Sequence, residues 1–477
     1  MEMVKDKPKD DSKHLEVPLI PGYKIIERKD TNKGYAIIFM EPDTGFRLRG
    51  PVGKGSEVFD NIGEKITTDM YNILDAGVDK ELPIIRNRQF DSCRNSEILI
   101  KALQNPEETG IVSGRKPSGP CHFGHALLVN TLAILQKNGS SIYVPVADLE
   151  VMLDKKVSNK THGKMLAADN LLDWGALGLN LDKAHVYLQS EEIRVMNFAY
   201  MASRNILFED GIDIYGAETM ANEFNFVFAG LAQVGDILLP QHKDFGKKYS
   251  VMVSGTDQDG HMSMTTTLSK MLASEGTINN PPASLYIRTI TSLSDKKESA
   301  SEPTVTLYLG SMRNVYNYTS DGKRESLKEI KLLNLDERIA DTYAKVDKFS
   351  AEDIEKVISA IKRRTTVFKE LEDLDPENLD EFKTRTKNML IKHEARRREV
   401  YAYALRLALN DYEADKTANK EKIEKIHRLL EENGSMTQGR APEFWDYSER
   451  GAVPKDLHRI RTKWYEQIAE VADLIMP

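Results

Sequence analysis

The sequence predicts an α/β protein: a doubly wound, mostly parallel sheet, preceded by a small β-rich module and followed by a helical region. Three observations predict it. Between about residues 84 and 310, short β-like runs alternate with helical segments. Beyond about 311 the strand signals mostly stop, and residues 338–477 read as helices of heavy mixed charge. Before about residue 60, the runs Tyr23–Glu27, Tyr35–Met40 and Phe46–Arg49 are broken by Gly34, Pro42 and Gly45, the pattern of a small antiparallel unit. These shifts divide the chain into 1–83, 84–310 and 311–477, in keeping with a prior of ~150 residues per domain.

Within the middle segment each element has its own signal. Ile111–Ser113 is a short strand running into a glycine turn, and Ile142–Val146 is a second strand ending at Asp148. A helix is expected over roughly 161–178, with Leu171, Leu172 and Leu177 on its apolar side. Val186–Leu188 and Tyr249–Val253 are further strands, and Leu285–Ile290 follows a Pro281–Pro282 break. Ligands of such sheets bind beyond the carboxyl ends of the strands, and the polar motifs of this chain all come just after strands.

Composition narrows the function classes. Hydrophobic residues make up 40% of the chain, enough for a real core. The net charge of −8 argues against a generally basic coat for nucleic acid, so any RNA contact must come from a local patch. Two cysteines, Cys93 and Cys121, are too few for a disulfide framework, which fits a reducing compartment. No apolar run reaches the ~18 residues of a membrane span, and Met1–His14 lacks the core of a signal peptide. A cytoplasmic protein is the expectation.

The most informative stretch is Ser113–Gly114–Arg115–Lys116–Pro117–Ser118–Gly119–Pro120–Cys121–His122–Phe123–Gly124–His125. It puts two imidazoles at the start of a helix marked by Leu128, Leu132 and Leu135. A helix N-terminus already favours an anion, so a polyphosphate is the expected ligand. A metal half-site is the weaker alternative, because no cysteine or carboxylate follows at ligand spacing.

Two further motifs follow in order. Ser254–Gly255–Thr256–Asp257–Gln258–Asp259 comes after a strand; Gly255 permits close backbone approach, and Asp257 and Gln258 can bind hydroxyls and an amino acid's polar end. Alone, Asp257 also reads as a helix cap. Some 40 residues later Leu293–Pro303 is a polar loop carrying Lys296 and Lys297, suited to the charge of a leaving pyrophosphate. Alone, it also reads as a solvated linker. Ahead of both, Phe228–Leu239 is a helix with Gln233 and Asp236 three apart on one face, either turned into a pocket or paired at the surface.

Together these segments resemble class I aminoacyl-tRNA synthetases of the tryptophanyl and tyrosyl branch. His122–Phe123–Gly124–His125 is similar to the HIGH signature, and Gly255–Thr256–Asp257–Gln258 to Gly-x-Asp-Gln. Lys297–Glu298–Ser299–Ala300–Ser301 is similar to the KMSAS form of the lysine loop, with Glu298 in place of Met. A carboxylate there would repel phosphates unless it points away or pairs with Lys296. Asp257–Gln258–Asp259 and Glu394–Ala395–Arg396–Arg397 lean towards the archaeal and eukaryotic tryptophanyl form.

The resemblance implies a Rossmann-type catalytic fold, an insertion at about 154–235 forming a homodimer, and a helical anticodon-binding region. It implies that His122, His125 and Lys297 are catalytic, and that Arg115, Gly124, Gly255, Asp257, Ser299 and Ser301 bind ATP, with Mg²⁺ carried by the nucleotide and no metal held by the protein. Gln233, Asp236, Gln258, Glu150 and Val112 would bind the amino acid, although Glu150 is equally readable as an ordinary first-turn acid. At the side-chain pocket Val112 and Pro145 replace a Tyr/Gln pair, leaving Asp236 for an indole N–H or a phenol. The implied partners are tryptophan and tRNA(Trp). The alternatives are a tyrosine enzyme or a non-catalytic paralogue that binds RNA. The basic run Lys392–Val400 reads as an RNA contact by this resemblance and as a solvated helix face by composition. Trp445 and Trp464 are expected in the core rather than stacked on bases.

Overall fold

The structure is a computed structural model, which describes residues 3–4, 17–18, 24–31, 34–40, 47–49, 63–76, 89–153, 160–204, 225–294, 297–299, 304–322, 324–349, 353–364, 368–434, 439–445 and 462–476. The N-terminal module is a three-stranded antiparallel sheet of β1 (Lys24–Thr31), β2 (Gly34–Met40) and β3 (Arg47–Arg49).

The central sheet has seven strands: β4 (Glu64–Lys65), β5 (Phe90–Arg94), β6 (Thr109–Val112), β7 (Ser141–Val146), β8 (Ala184–Leu188), β9 (Tyr249–Gly255) and β10 (Ala283–Ile287), in the order β8-β7-β6-β9-β10-β5-β4. The five strands from β8 to β10 run parallel, and β5 and β4 close the edge antiparallel. Strand order therefore reverses between β6 and β9, and the crevice outside their carboxyl ends is where such sheets take ligands. The buried faces are continuous apolar surface: Ile111, Ile142, Val144, Val186, Val251, Val253 and Leu285 are all at most 2% exposed.

Helix α1 (Phe123–Lys137) returns from β6 to β7, and α2 (Lys160–Ala176) from β7 to β8. Helices α3 (Ile193–Ser203) and α4 (Asn225–Leu238) pack on each other, and α5 (Asp259–Ser274) joins β9 to β10. Then come β11 (Met312–Tyr318) and β12 (Arg324–Leu332), followed by α6 (Leu335–Val346), α7 (Ile354–Arg364), α8 (Leu379–Tyr412), α9 (Lys420–Glu432) and α10 (Trp464–Glu470).

Three expectations about boundaries are corrected. The sheet begins before residue 84, because β4 pairs with β5 through Glu64 and Cys93, and Met70 is fully buried. The region from 311 is not purely helical: β11 and β12 form an antiparallel hairpin around Gly322, whose φ of 77° suits glycine. The segment 154–235 is not wholly an insertion, since α2 and β8 within it belong to the sheet layer.

The long helix α8 docks on α2 through buried charge. Arg397, fully buried, pairs with Asp169 at 2.6 Å and with Asp173, while His393 Nε2 lies 2.9 Å from Asp173. Burial would raise the Asp173 carboxyl, but Arg397 and His393 outweigh it and hold the group below its usual range. Ser311 donates to Asp169 at 2.7 Å, tying the start of the hairpin to the same cluster. Trp445 and Trp464 lie in the core at 1% exposure, with rings 6.1 Å apart.

Candidate functional site

One crevice at the β6/β9 switch gathers the motifs. It encloses about 580 Å³ and is lined by Arg115, His122, Gly124, His125, Gly255, Asp257, Gln258, Lys297 and Ser299, and deeper in by Val112, Pro145, Glu150, Gln189, Gln233 and Asp236. Of the site residues expected from the sequence, Ser301 lies outside the described residues, as do the neighbouring Lys296 and Ala300.

The first wall is the turn between β6 and α1. Gly114 is needed because a Cβ there would sit 2.2 Å from the Pro145 carbonyl oxygen, where Arg115 N–H donates at 3.0 Å. Arg115 differs from expectation. Its Nη2 donates to the Gly119 and Pro120 carbonyls at 2.8 and 2.9 Å, and its Nη1 to Asn170 Oδ1 at 3.2 Å. It organises the turn, and these donors are not left over for a nucleotide.

His122 and His125 stack with ring centres 3.7 Å apart. The His122 N–H donates to His125 Nδ1 at 3.2 Å, which leaves His125 Nε2 for a ligand. Burial lowers both imidazoles; for His125, well below the usual value, Arg115 and His122 add to the effect. Both rings are therefore neutral at pH 7 and would meet phosphate as hydrogen-bond donors. Gly124 also differs from expectation. Its N–H, the amide the first turn of α1 would offer an anion, instead donates to Glu298 Oε2 at 2.8 Å.

The second wall is the short 3₁₀ turn Thr256–Gln258 after β9. Asp257 Oδ1 folds back so far that a Cβ on Gly255 would lie 2.5 Å from it. Gln258 Nε2 donates to Asp257 Oδ2 at 3.0 Å, and Lys297 Nζ reaches the same oxygen at 2.5 Å. Burial would raise Asp257, but Lys297 and Gln258 keep it low and ionised. The turn is anchored from below by Asp259, which pairs with Arg94 at 2.6 Å and accepts from Tyr286 Oη at 2.7 Å.

The deep end is a polar annexe. Gln233 Nε2 donates to Glu150 Oε1 at 3.0 Å, and burial raises Glu150. Asp236 accepts from Tyr187 Oη at 2.9 Å and from Gln189 Nε2 at 2.5 Å. Burial pushes its carboxyl up to about 8 against the pull of those two donors. Gln233 Oε1 and Gln189 Oε1 are buried acceptors with no hydrogen-bond partner, so each could accept from an N–H group of a ligand. Sequence reasoning missed Tyr187 and Gln189. Their signal was present: two polar side chains two apart at the end of a strand share one face.

Fold and crevice together define a doubly wound α/β protein of the nucleotide-binding type. The family model for class I tRNA synthetases (W and Y) matches residues 104–367, more than half of the chain, and the chain belongs to that family. The tryptophan–tRNA ligase of Methanocaldococcus jannaschii is 33% identical over 245 residues, which are 50% of this chain and 65% of that protein. The tryptophan–tRNA ligase of Hyperthermus butylicus is 32% identical over 219 residues, 45% of this chain and 57% of that protein. The chain thus spans less than two thirds of the length of these curated relatives. The crystal structure of tryptophanyl-tRNA synthetase from Aeropyrum pernix shares the fold with a TM-score of 0.54 at 21% identity, over 69% of this chain and 88% of that one.

Proposed function

We propose that the chain is a tryptophan–tRNA ligase. The observation that carries this reading is the convergence of the imidazole pair, the Asp257 turn, Lys297 and the acceptor-rich annexe on one crevice. In the proposed reaction the tryptophan carboxylate oxygen attacks the α-phosphate of ATP. A new P–O bond forms, the bond to the β-phosphate breaks, and pyrophosphate leaves with the electron pair. A terminal ribose hydroxyl of tRNA(Trp) then attacks the adenylate's carbonyl and AMP departs. No side chain need form a covalent bond; the work is placement and charge stabilisation.

His122 and His125 would donate to the phosphates, and Lys297 would offset charge on the leaving pyrophosphate. Gly255, Asp257 and Ser299 would hold the adenosine side of the nucleotide. Gln233 with Glu150 would take the ammonium group, and Gln258 the polar end of the amino acid. Asp236, held in place by Tyr187 and Gln189, would accept from the indole N–H beside Val112. A pocket that satisfies one polar atom in an apolar setting discriminates strongly. Among the described residues no three His, Cys, Asp or Glu side chains are grouped to hold a metal. We read Mg²⁺ as arriving with the triphosphate and keeping its waters.

Two partner readings go with this. Ile193 and Tyr200 on α3 and Phe228 on α4 are exposed apolar side chains, at 67%, 76% and 61%, and we read this helix pair as the homodimer face. For tRNA, Lys392 and Arg398 remain on the surface of α8, whereas His393, Glu394 and Arg397 are buried and are corrected from RNA contacts to core. No helix among the described residues is long and apolar enough to cross a membrane, and we read the enzyme as cytoplasmic.

The test is ATP–pyrophosphate exchange with the twenty amino acids supplied separately. Exchange that depends on tryptophan supports the reading. Exchange with tyrosine alone would make it a tyrosine enzyme, and exchange with none, alongside RNA binding, a non-catalytic relative.

A further inference from the structure

Glu298 occupies the position where the lysine loop departs from its family pattern, and its surroundings are specific. Its side chain is 1% exposed, and that of Arg364, the last residue of α7, is fully buried. Arg364 Nη2 lies 2.7 Å from Glu298 Oε1, and the Leu307 N–H donates to the same oxygen at 3.3 Å. The other oxygen, Oε2, takes the Gly124 N–H at 2.8 Å. His122 Nδ1 stands 3.5 Å away, too long for a good hydrogen bond. The carboxylate thus takes one cation and two amides from three separate parts of the chain. The next residue towards the N-terminus, Lys297, has a half-exposed side chain and reaches Asp257 inside the crevice.

We propose that Glu298 is a positioning residue: it pins the lysine loop to the head of α1 and, through Arg364, ties the placement of Lys297 to the C-terminal half of the chain. The inference rests on the ligase reading and extends it. A carboxylate near the phosphates would repel them; this one lines the crevice next to His122, but its oxygens are taken up by amides and by Arg364, which balances its charge. Successive residues then do opposite jobs, one buried and fixed, the other solvated and reaching for a ligand. Arg363 adds a second tie, since its Nη1 donates to Thr291 Oγ1 at 3.0 Å, and Thr291 bridges to Lys297 along the backbone. The cost of burying Glu298 is met only while Arg364 stays in place, so movement of α7 must be felt at Lys297.

The experiment is epistasis in the full-length chain. Arg364→Lys and Glu298→Gln are made in the parent and in Lys297→Ala, and tryptophan-dependent pyrophosphate exchange is measured. The proposal predicts that Glu298→Gln lowers kcat tenfold or more in the parent with KM for tryptophan within twofold. In the Lys297→Ala background the same change costs less than twofold. Arg364→Lys, which keeps the charge, retains more of the parent's kcat than Glu298→Gln does. Equal losses in both backgrounds would overturn it. A second measurement needs no activity: amide hydrogen exchange at Gly124 and Leu307. A glutamine offers one acceptor oxygen where the carboxylate offers two, so at least one of these amides should exchange tenfold faster in Glu298→Gln while amides of β9 are unchanged. Unchanged exchange at both would overturn the anchor. If the parent exchanges pyrophosphate with no amino acid, the ligase reading fails, and the amide measurement alone decides the anchor.

Discussion

Two of the charge clusters among the described residues are built differently. The Asp169–Asp173–His393–Arg397 cluster between α2 and α8 is wholly buried, and its ion pairs close on each other. The Asp257–Lys297 pair at the crevice is 27% and 46% exposed in its side chains. The first cluster holds two parts of the chain together. The second keeps its groups open to exchange partners. Charge alone does not mark function; what separates the two clusters is that the charge at the crevice stays reachable.

The largest effect should come from the buried cluster. Arg397→Ala strands two carboxylates in the interior, so chemical denaturation should show a loss of about 3–5 kcal/mol. A loss under about 1 kcal/mol would mean that the cluster is hydrated and that the contrast with the crevice is weaker than drawn. The same substitution at the exposed pair behaves in the opposite way. Lys297→Ala should leave stability within about 0.5 kcal/mol. It should slow pyrophosphate exchange by about tenfold or more, because a fixed positive charge no longer meets the charge that develops on the leaving group. His125→Ala should act in the same direction.

The third prediction concerns pH. The free carboxyl of Asp236 titrates near 8 because it is buried. An indole N–H binds the ionised form best, so binding below pH 8 releases a proton. Affinity for tryptophan should therefore rise with pH from 6.5 to 8, by up to about tenfold per unit, and flatten above. Calorimetric titration across that range reads it directly, and Asp236→Asn should abolish the slope. A slope of opposite sign would show that the protonated carboxyl is the binding form. The smallest effect belongs to the surface of α8: Lys392→Ala should change stability by no more than about 0.5 kcal/mol.

How much of this was legible in the sequence follows from the range of each interaction. The β6–α1 turn, the Thr256–Gln258 turn and the Gln233/Asp236 helix face are local patterns, and the structure brings all three into one crevice. The strand runs were legible because fully buried parallel strands read as apolar stretches. The hairpin β11–β12 was not, since much of its sequence is polar and exposed; its one clear signal was Asp321–Gly322 at the turn. Arg364 pairs with Glu298 across 66 residues and Arg397 with Asp169 across 228. Nothing local tells an arginine that will be buried from one that will face water. Arg115 shows a subtler limit: its place in the motif was right, but its donors turn inward to the loop that carries it.

The central claim is that a single crevice holds both an adenosine triphosphate and an aromatic amino acid. Equilibrium binding of a non-hydrolysable tryptophanyl-adenylate analogue tests it most directly, with ATP and tryptophan as separate competitors. A shared crevice predicts one site per chain, displacement by either competitor, and weaker binding in His125→Ala and Asp236→Asn alike. Displacement by only one competitor, or a loss confined to one of the two variants, would contradict it.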